Sequence, residues 1–193
     1  MGIEFELKYR ATEDALCQLR RELVGTEQEF QMETTYYDTP EGHFSARKWT
    51  LRRRMENERS ICTLKTPGTG LDRREWEVEC DDIAAALPML CKLGSPEELF
   101  VLARCGLQPI CGARFTRVAK TILFENATLE VAMDQGVLMG GGKEIPLLEA
   151  EVELKEGSRE ACLAFGQYLA RTYGLVAEPL SKFRRALDLY KGE

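Results

Sequence analysis

The segment Gly2-Ile3-Glu4-Phe5-Glu6-Leu7-Lys8-Tyr9 decides how this chain is read. Glu4, Glu6 and Lys8 alternate with Ile3, Phe5, Leu7 and Tyr9. In an extended backbone, side chains two apart share a face, so the charged groups point one way and the apolar groups the other. A single strand of this kind ordinarily belongs to a half-buried sheet whose polar face meets water. In a closed barrel the same alternation lines a charged interior, and like charge crowded there needs a ligand or a metal. The choice rests on whether complementary strands follow.

They do. Glu33 to Asp38 is β-prone and stops at the turn signal Thr39-Pro40-Glu41-Gly42. Trp49 to Arg54 places Arg52 and Arg54 on one face and Arg53 on the other, and Ser60 to Thr66 carries Lys65 up to the break at Pro67-Gly68-Thr69-Gly70. Arg73 to Cys80 alternates again, with Arg73, Glu75, Glu77 and Glu79 opposite Arg74, Trp76 and Val78. Further strands are expected over Ala113 to Ala119, Thr121 to Glu125, Thr128 to Asp134 and Leu147 to Lys155. Gly140-Gly141-Gly142-Lys143 reads as a hairpin turn, since it lacks the spacing of a Walker loop.

Helical patterns lie between these strands. Thr12 is an expected N-cap, with Leu16, Leu19 and Leu23 recurring at helical spacing. Ile83 to Leu93, a helix opening at Ser95-Pro96-Glu97-Glu98, Ser158 to Tyr173 and a last helix opening at Ser181 complete the set. No linker-like run divides the chain, so residues 1–193 read as a single domain.

With 44% hydrophobic and 30% charged residues the chain is globular in composition, and its net charge of -6 argues against a general nucleic-acid-binding surface. No apolar run approaches the roughly 18 residues of a membrane span, and no signal-peptide pattern follows Met1. Seven scattered cysteines without a C-x-x-C pair then imply reduced thiols and a cytoplasmic location. His43 lies in a turn-rich stretch and takes no ligand role.

The same-face polar residues fall into two sets. The acidic one is Glu4, Glu6, Glu75, Glu130, Asp134, Glu151 and Glu153; the basic one is Lys8, Arg52, Arg54, Lys65, Arg73, Arg117, Lys182 and Arg185. Clustered carboxylates repel unless a divalent cation sits among them, and hard oxygen donors select Mg²⁺ or Mn²⁺. Guanidinium and ammonium groups suit phosphate oxygens. Together they form the minimum apparatus for phosphoryl transfer. Glu77, Glu79 and Glu149 are read as solvated rim, Arg53 and Arg74 as surface, and Tyr36, Tyr37, Trp49 and Trp76 as packing.

The ordered series Glu4-x-Glu6-x-Lys8, Tyr37-Asp38-Thr39, Leu51 to Arg54, Thr63 to Lys65, Arg73-x-Glu75, Arg117, Asp134, Glu151 to Gly157 and Ser181 to Arg185 resembles the CYTH superfamily, the triphosphate tunnel metalloenzymes. Among these it is most similar to bacterial inorganic triphosphatases, which often carry a further C-terminal helical domain that this chain is expected to do without. The resemblance implies an α+β fold, a closed eight-stranded antiparallel β-barrel forming a tunnel, with helices packed outside. It implies that Glu4, Glu6, Glu151 and Glu153 hold Mg²⁺ or Mn²⁺, with Asp134 and Glu75 as further inner carboxylates. Lys8, Arg52, Arg54, Lys65, Arg73, Arg117 and Lys182 would grip the triphosphate, Arg185 either joining them or anchoring the closing helix. Lys8, Arg52, Arg54 and Asp134 are the residues expected to act in catalysis. Lys120, where many relatives have an aromatic residue, and Glu149, which extends the acidic run, are departures able to retune substrate choice.

The implied activity is metal-dependent hydrolysis of a triphosphate-containing small molecule, inorganic triphosphate leading, by a monomer or homodimer. Thiamine-triphosphate hydrolysis and class IV-type adenylate cyclisation remain open, as does a non-catalytic module binding polyphosphate or nucleotide.

Overall fold

The computed structural model describes residues 2–68 and 73–192, with side chains from Phe5 onward. The chain runs β1 (Gly2–Glu4), β2 (Glu6–Arg10), α1 (Glu13–Glu22), β3 (Thr26–Asp38), α2 (His43–Ala46), β4 (Thr50–Glu56), β5 (Arg59–Pro67) and β6 (Arg73–Glu79). It continues through α3 (Ile83–Lys92), α4 (Glu98–Ala103), β7 (Gln108–Phe124), β8 (Ala127–Gly140), β9 (Lys143–Glu156), α5 (Arg159–Tyr173), β10 (Val176–Ala177) and α6 (Lys182–Lys191). The turn expected at Pro67 to Gly70 falls partly outside the described residues.

Among the described residues the strands form one ten-stranded sheet in the order β1-β6-β5-β4-β3-β7-β8-β9-β2-β10. This corrects the expected closed eight-stranded barrel: the hydrogen-bonded ladder has two ends. The cause lies in the opening segment. A closing strand would need both edges paired along its length, but Gly2–Glu4 pairs only with β6 and Glu6–Arg10 pairs with β9. The break falls at Phe5, whose carbonyl accepts a 3.0 Å hydrogen bond from the Leu154 amide. The other edge of β2 is taken by β10, where Val176 faces Arg10. All these pairings are antiparallel. Two further expectations change in extent: the two strands expected between Ala113 and Glu125 are one strand, Gln108–Phe124, and β3 begins at Thr26 rather than Glu33.

Period-two alternation gives the sheet an apolar face and a charged, concave one. Phe5 and Tyr9 join Leu16 and Leu19 of α1 and Phe165 and Leu169 of α5 in one buried cluster on the apolar face. On the same face, Leu51, Leu64 and Trp76 pack against Leu87, Leu90 and Leu99 of α3 and α4. Full burial of each such leucine contributes about 1.5–3 kcal/mol. The helix caps follow the sequence: Thr12, Asp82, Ser158 and Ser181 each accept a hydrogen bond from a first-turn amide.

One helix departs from the expectation that all lie outside. Ala186 and Leu187 of α6 are buried with Met32, Tyr36, Phe115, Leu138 and Leu147, which belong to the concave face. Close approach is possible because a Cβ on Gly140 would stand 2.4 Å from the Ala186 carbonyl oxygen. The hairpin below it turns on Gly141 and Gly142 at φ 58° and 74°, the left-handed geometry of a two-residue turn. Among the described residues no helix is long and apolar enough to cross a membrane.

Candidate functional site

The concave face encloses a cavity of about 310 Å³ lined, among the described residues, by eight cationic and seven acidic side chains. Strand parity brings them together. Lys8, Arg52, Arg54, Lys65, Arg73, Arg117 and Lys182 all line it, as do Glu6, Glu75, Glu130, Glu151 and Glu153. The Glu4 side chain lies outside the described residues; its backbone is in register with Arg73. Glu56 and Lys155 also line the cavity, and neither was singled out from sequence although both continue charged faces.

The cations and carboxylates interlock. Lys8 donates to Glu6 at 3.2 Å, Lys65 stands 3.2 Å from Glu75, and Arg52 lies 3.8 Å from Glu75 and 3.9 Å from Glu77. Burial alone would raise Glu77, but Arg52 and the Thr63 hydroxyl bring its carboxyl below the ordinary range. Glu77 lines the cavity and keeps 42% of its side chain exposed. Arg54 pairs with Glu56. Burial first, then the neighbouring Arg52, lower its guanidinium to about 10. It is a cation held ready for an anion.

Across β2, β9 and β8, register sets Glu6 opposite Glu153 and Glu153 opposite Glu130. Directly opposed side chains have Cβ atoms about 4.5–5.5 Å apart, so three carboxylates stand in one row. Lys155 balances part of that charge, 2.8 Å from Glu153 and 3.5 Å from Glu130. An all-oxygen row on a cavity wall fits a hard divalent ion such as Mg²⁺ or Mn²⁺.

A second acidic group lies deeper. Asp134 and Glu149 are fully buried and do not line the cavity, and Glu151 stands before them. The rim reading of Glu149 is thereby overturned: α6 covers it, and Lys182 and Arg185 both pair with it. Burial, chiefly, pushes the Glu149 carboxyl up to about 7. Burial would also raise Glu151, but Lys182 and Arg117 hold it well below the usual carboxylate range. Burial opposes charge on Lys182, yet Asp134, Glu151 and Glu149 raise it overall.

Three other readings resolve into packing. Asp38 is buried, and its carboxylate accepts from the amides of Thr39, Phe44 and Ser45 at 2.8, 2.9 and 3.0 Å, so Tyr37-Asp38-Thr39 braces α2. Lys120 lies on the opposite face from the cavity and donates to the carbonyls of Arg20 and Leu23, capping α1. That position corrects its expected part in substrate choice. Tyr36 packs on Phe183 of α6 with ring centroids 5.0 Å apart.

The CYTH domain matches residues 2–187. An inorganic triphosphatase of Haemophilus influenzae is 32% identical over 154 residues, covering 78% of this chain and 44% of that protein. The chain therefore spans less than half the length of this curated relative. A putative adenylyl cyclase from Hippeastrum, described as having a dominant triphosphatase activity, shares the fold at TM-score 0.68 and 18% identity, over 100% of this chain and 97% of that one. A Pyrococcus horikoshii protein does so at TM-score 0.64 and 22% identity, over 96% and 98%. Because the match runs over residues 2–187, nearly the whole sequence, the chain belongs to the CYTH domain family.

Proposed function

We propose that the chain hydrolyses a triphosphate in a divalent-metal-dependent reaction, with inorganic triphosphate the substrate and pyrophosphate and phosphate the products. The observation that carries this reading is that Lys8, Arg52, Arg54, Lys65 and Arg73 line the same cavity as the carboxylate row of Glu6, Glu153 and Glu130. The name of the Haemophilus relative points the same way.

In this reading the guanidinium groups of Arg52 and Arg54 and the ammonium groups of Lys8 and Lys65 bind phosphate oxygens and stabilise charge gathering on them during transfer. Arg73 extends that wall toward β1. Glu6, Glu153 and Glu130 would hold Mg²⁺ or Mn²⁺, which would supply Lewis acidity toward the phosphate oxygens when bound, while Glu151 stays paired with Lys182 and Arg117. Carboxylates of the row accept hydrogen bonds from the attacking water and orient it. Asp134 acts from behind, fixing the Arg117 guanidinium by two hydrogen bonds of 2.7 Å.

The test is phosphate release from inorganic triphosphate, thiamine triphosphate and ATP with Mg²⁺, Mn²⁺ or EDTA. Fast release from inorganic triphosphate that EDTA abolishes, with ATP much slower, is expected. Glu6→Gln and Glu153→Gln should each lower it by about 100-fold or more. Preference for an organic triphosphate would move the substrate assignment. Tight triphosphate binding without release would make the chain a binding module.

A further inference from the structure

Asp134, Glu149 and Glu151 bring carboxylate oxygens within 4.8 Å of one another, close enough to share a metal ion. Each of their six oxygens already faces a cationic donor of this chain. Asp134 Oδ1 and Oδ2 accept from Arg117 Nε and Nη2, both at 2.7 Å. Glu151 Oε2 accepts from Arg117 Nη2 at 2.5 Å, and Glu151 Oε1 from Lys182 Nζ at 2.8 Å. Glu149 Oε1 pairs with Lys182 and Glu149 Oε2 with Arg185.

Lys182 sits at the centre of this arrangement. Its Nζ also lies 2.8 Å from Asp134 Oδ2, so the ammonium touches all three carboxylates. An ammonium has three N–H donors and no acceptor, and three partners exhaust them. Its side chain is 10% exposed. The group is delivered by α6, whose position is set independently by the Ser181 cap and by the close approach at Gly140. Three carboxylates thus meet the cations of Lys182, Arg117 and Arg185, and no metal charge is needed to balance them.

We infer that Lys182 is the resident cation of this carboxylate triad, occupying the place a divalent ion would otherwise take and fastening α6 across the end of the cavity. The triad is a masked metal site, open to a divalent cation only when the ammonium is removed. The consequence that the reaction's metal sits at the Glu6, Glu153 and Glu130 row rests on the proposed function; the masking itself does not.

Mn²⁺ binding to the full chain without substrate, followed by the loss of the free-ion electron paramagnetic resonance signal, tests this. Asp134→Asn and Glu149→Gln should leave the number of bound Mn²⁺ ions and their affinity unchanged. Lys182→Met should gain one further Mn²⁺, which Glu149→Gln added to it should remove. A fall of about tenfold or more in Mn²⁺ affinity on Asp134→Asn or Glu149→Gln alone would overturn the inference, because it would put the native ion in the triad. So would a folded Lys182→Met chain that gains no ion. Should Lys182→Met fail to fold, the two single carboxamide variants decide the question. A native chain that binds no Mn²⁺ would count against the metal-dependent function, while the gain in Lys182→Met would still establish the mask.

Discussion

Arg117 on β7 and Asp134 on β8 are register partners joined by two parallel hydrogen bonds, Nε to Oδ1 and Nη2 to Oδ2, each 2.7 Å long. Asp134 has no exposed surface. Removing one partner of such a pair strands the other charge in a poorly solvated place. Asp134→Ala is therefore expected to destabilise the fold by about 3–5 kcal/mol. Urea unfolding measures it, and a loss below about 1 kcal/mol would mean the pair behaves like a surface bridge. Replacing both residues with apolar ones of similar size should cost much less.

The Glu149 carboxyl gives a pH dependence of definite sign. Burial, with Glu151 adding to it and Lys182 and Arg185 opposing, raises it from 4.5 to about 7. Between those values the folded chain keeps a proton that the unfolded chain has lost. Its contribution is full below the unfolded value and falls as pH rises through the folded one, by about 1–3 kcal/mol. Urea midpoints collected from pH ~4.5 to ~7.5 should show this fall in the native chain and a flatter profile in Glu149→Gln. Parallel profiles would contradict it.

Arg54 is expected to trade stability for anion affinity. Its Nε is buried without a hydrogen-bond partner among the described residues, and Arg52 is a like charge beside it. Arg54→Met is expected to raise unfolding stability by about 0.5–2 kcal/mol and to weaken triphosphate binding. Thermal unfolding with and without tripolyphosphate, metal being absent, reads both effects. The anion should raise the native Tm more than that of the variant, and equal shifts would remove Arg54 from the binding wall.

Gly140 sets the position of α6. A Cβ there would lie 2.4 Å from the Ala186 oxygen and 2.7 Å from the Tyr190 nitrogen, both backbone atoms. Gly140→Ala should cost about 1–3 kcal/mol, displace α6 and lower the proposed phosphate release from triphosphate. Faster amide exchange confined to α6 is the accompanying signature. Unchanged exchange and activity would show that the helix is not held by this contact.

Asp38→Ala should separate bracing from chemistry. Losing three amide partners is expected to cost about 2 kcal/mol or more, while kcat/KM of the chain that remains folded stays at the native value. A selective loss of kcat/KM at full stability would place Asp38 in the reaction instead.

Much of the site could be read from the chain because parity along a strand is local. Once Glu6 and Lys8, Arg52 and Arg54, or Glu151 and Glu153 are extended, each pair must share a face, and those residues do line one cavity. The Thr12 cap and the helix starts at Ser158 and Ser181 were legible for the same reason, since a cap reaches an amide only a few residues ahead. The rest depended on what lies across from a residue. Nothing local distinguishes Glu149 from Glu153, yet α6 buries the first and leaves the second on the cavity wall. Lys120 has the parity of an outer-face residue, but only the end of α1 makes it a cap. The sheet remains open because pairing at Phe5 changes between strands distant in sequence. The alternation of charge by itself determined which side chains meet; depth, pairing partner and the filling of the triad by Lys182 were decided by tertiary structure, because burial and charge neutralisation arise only when remote segments are brought into contact.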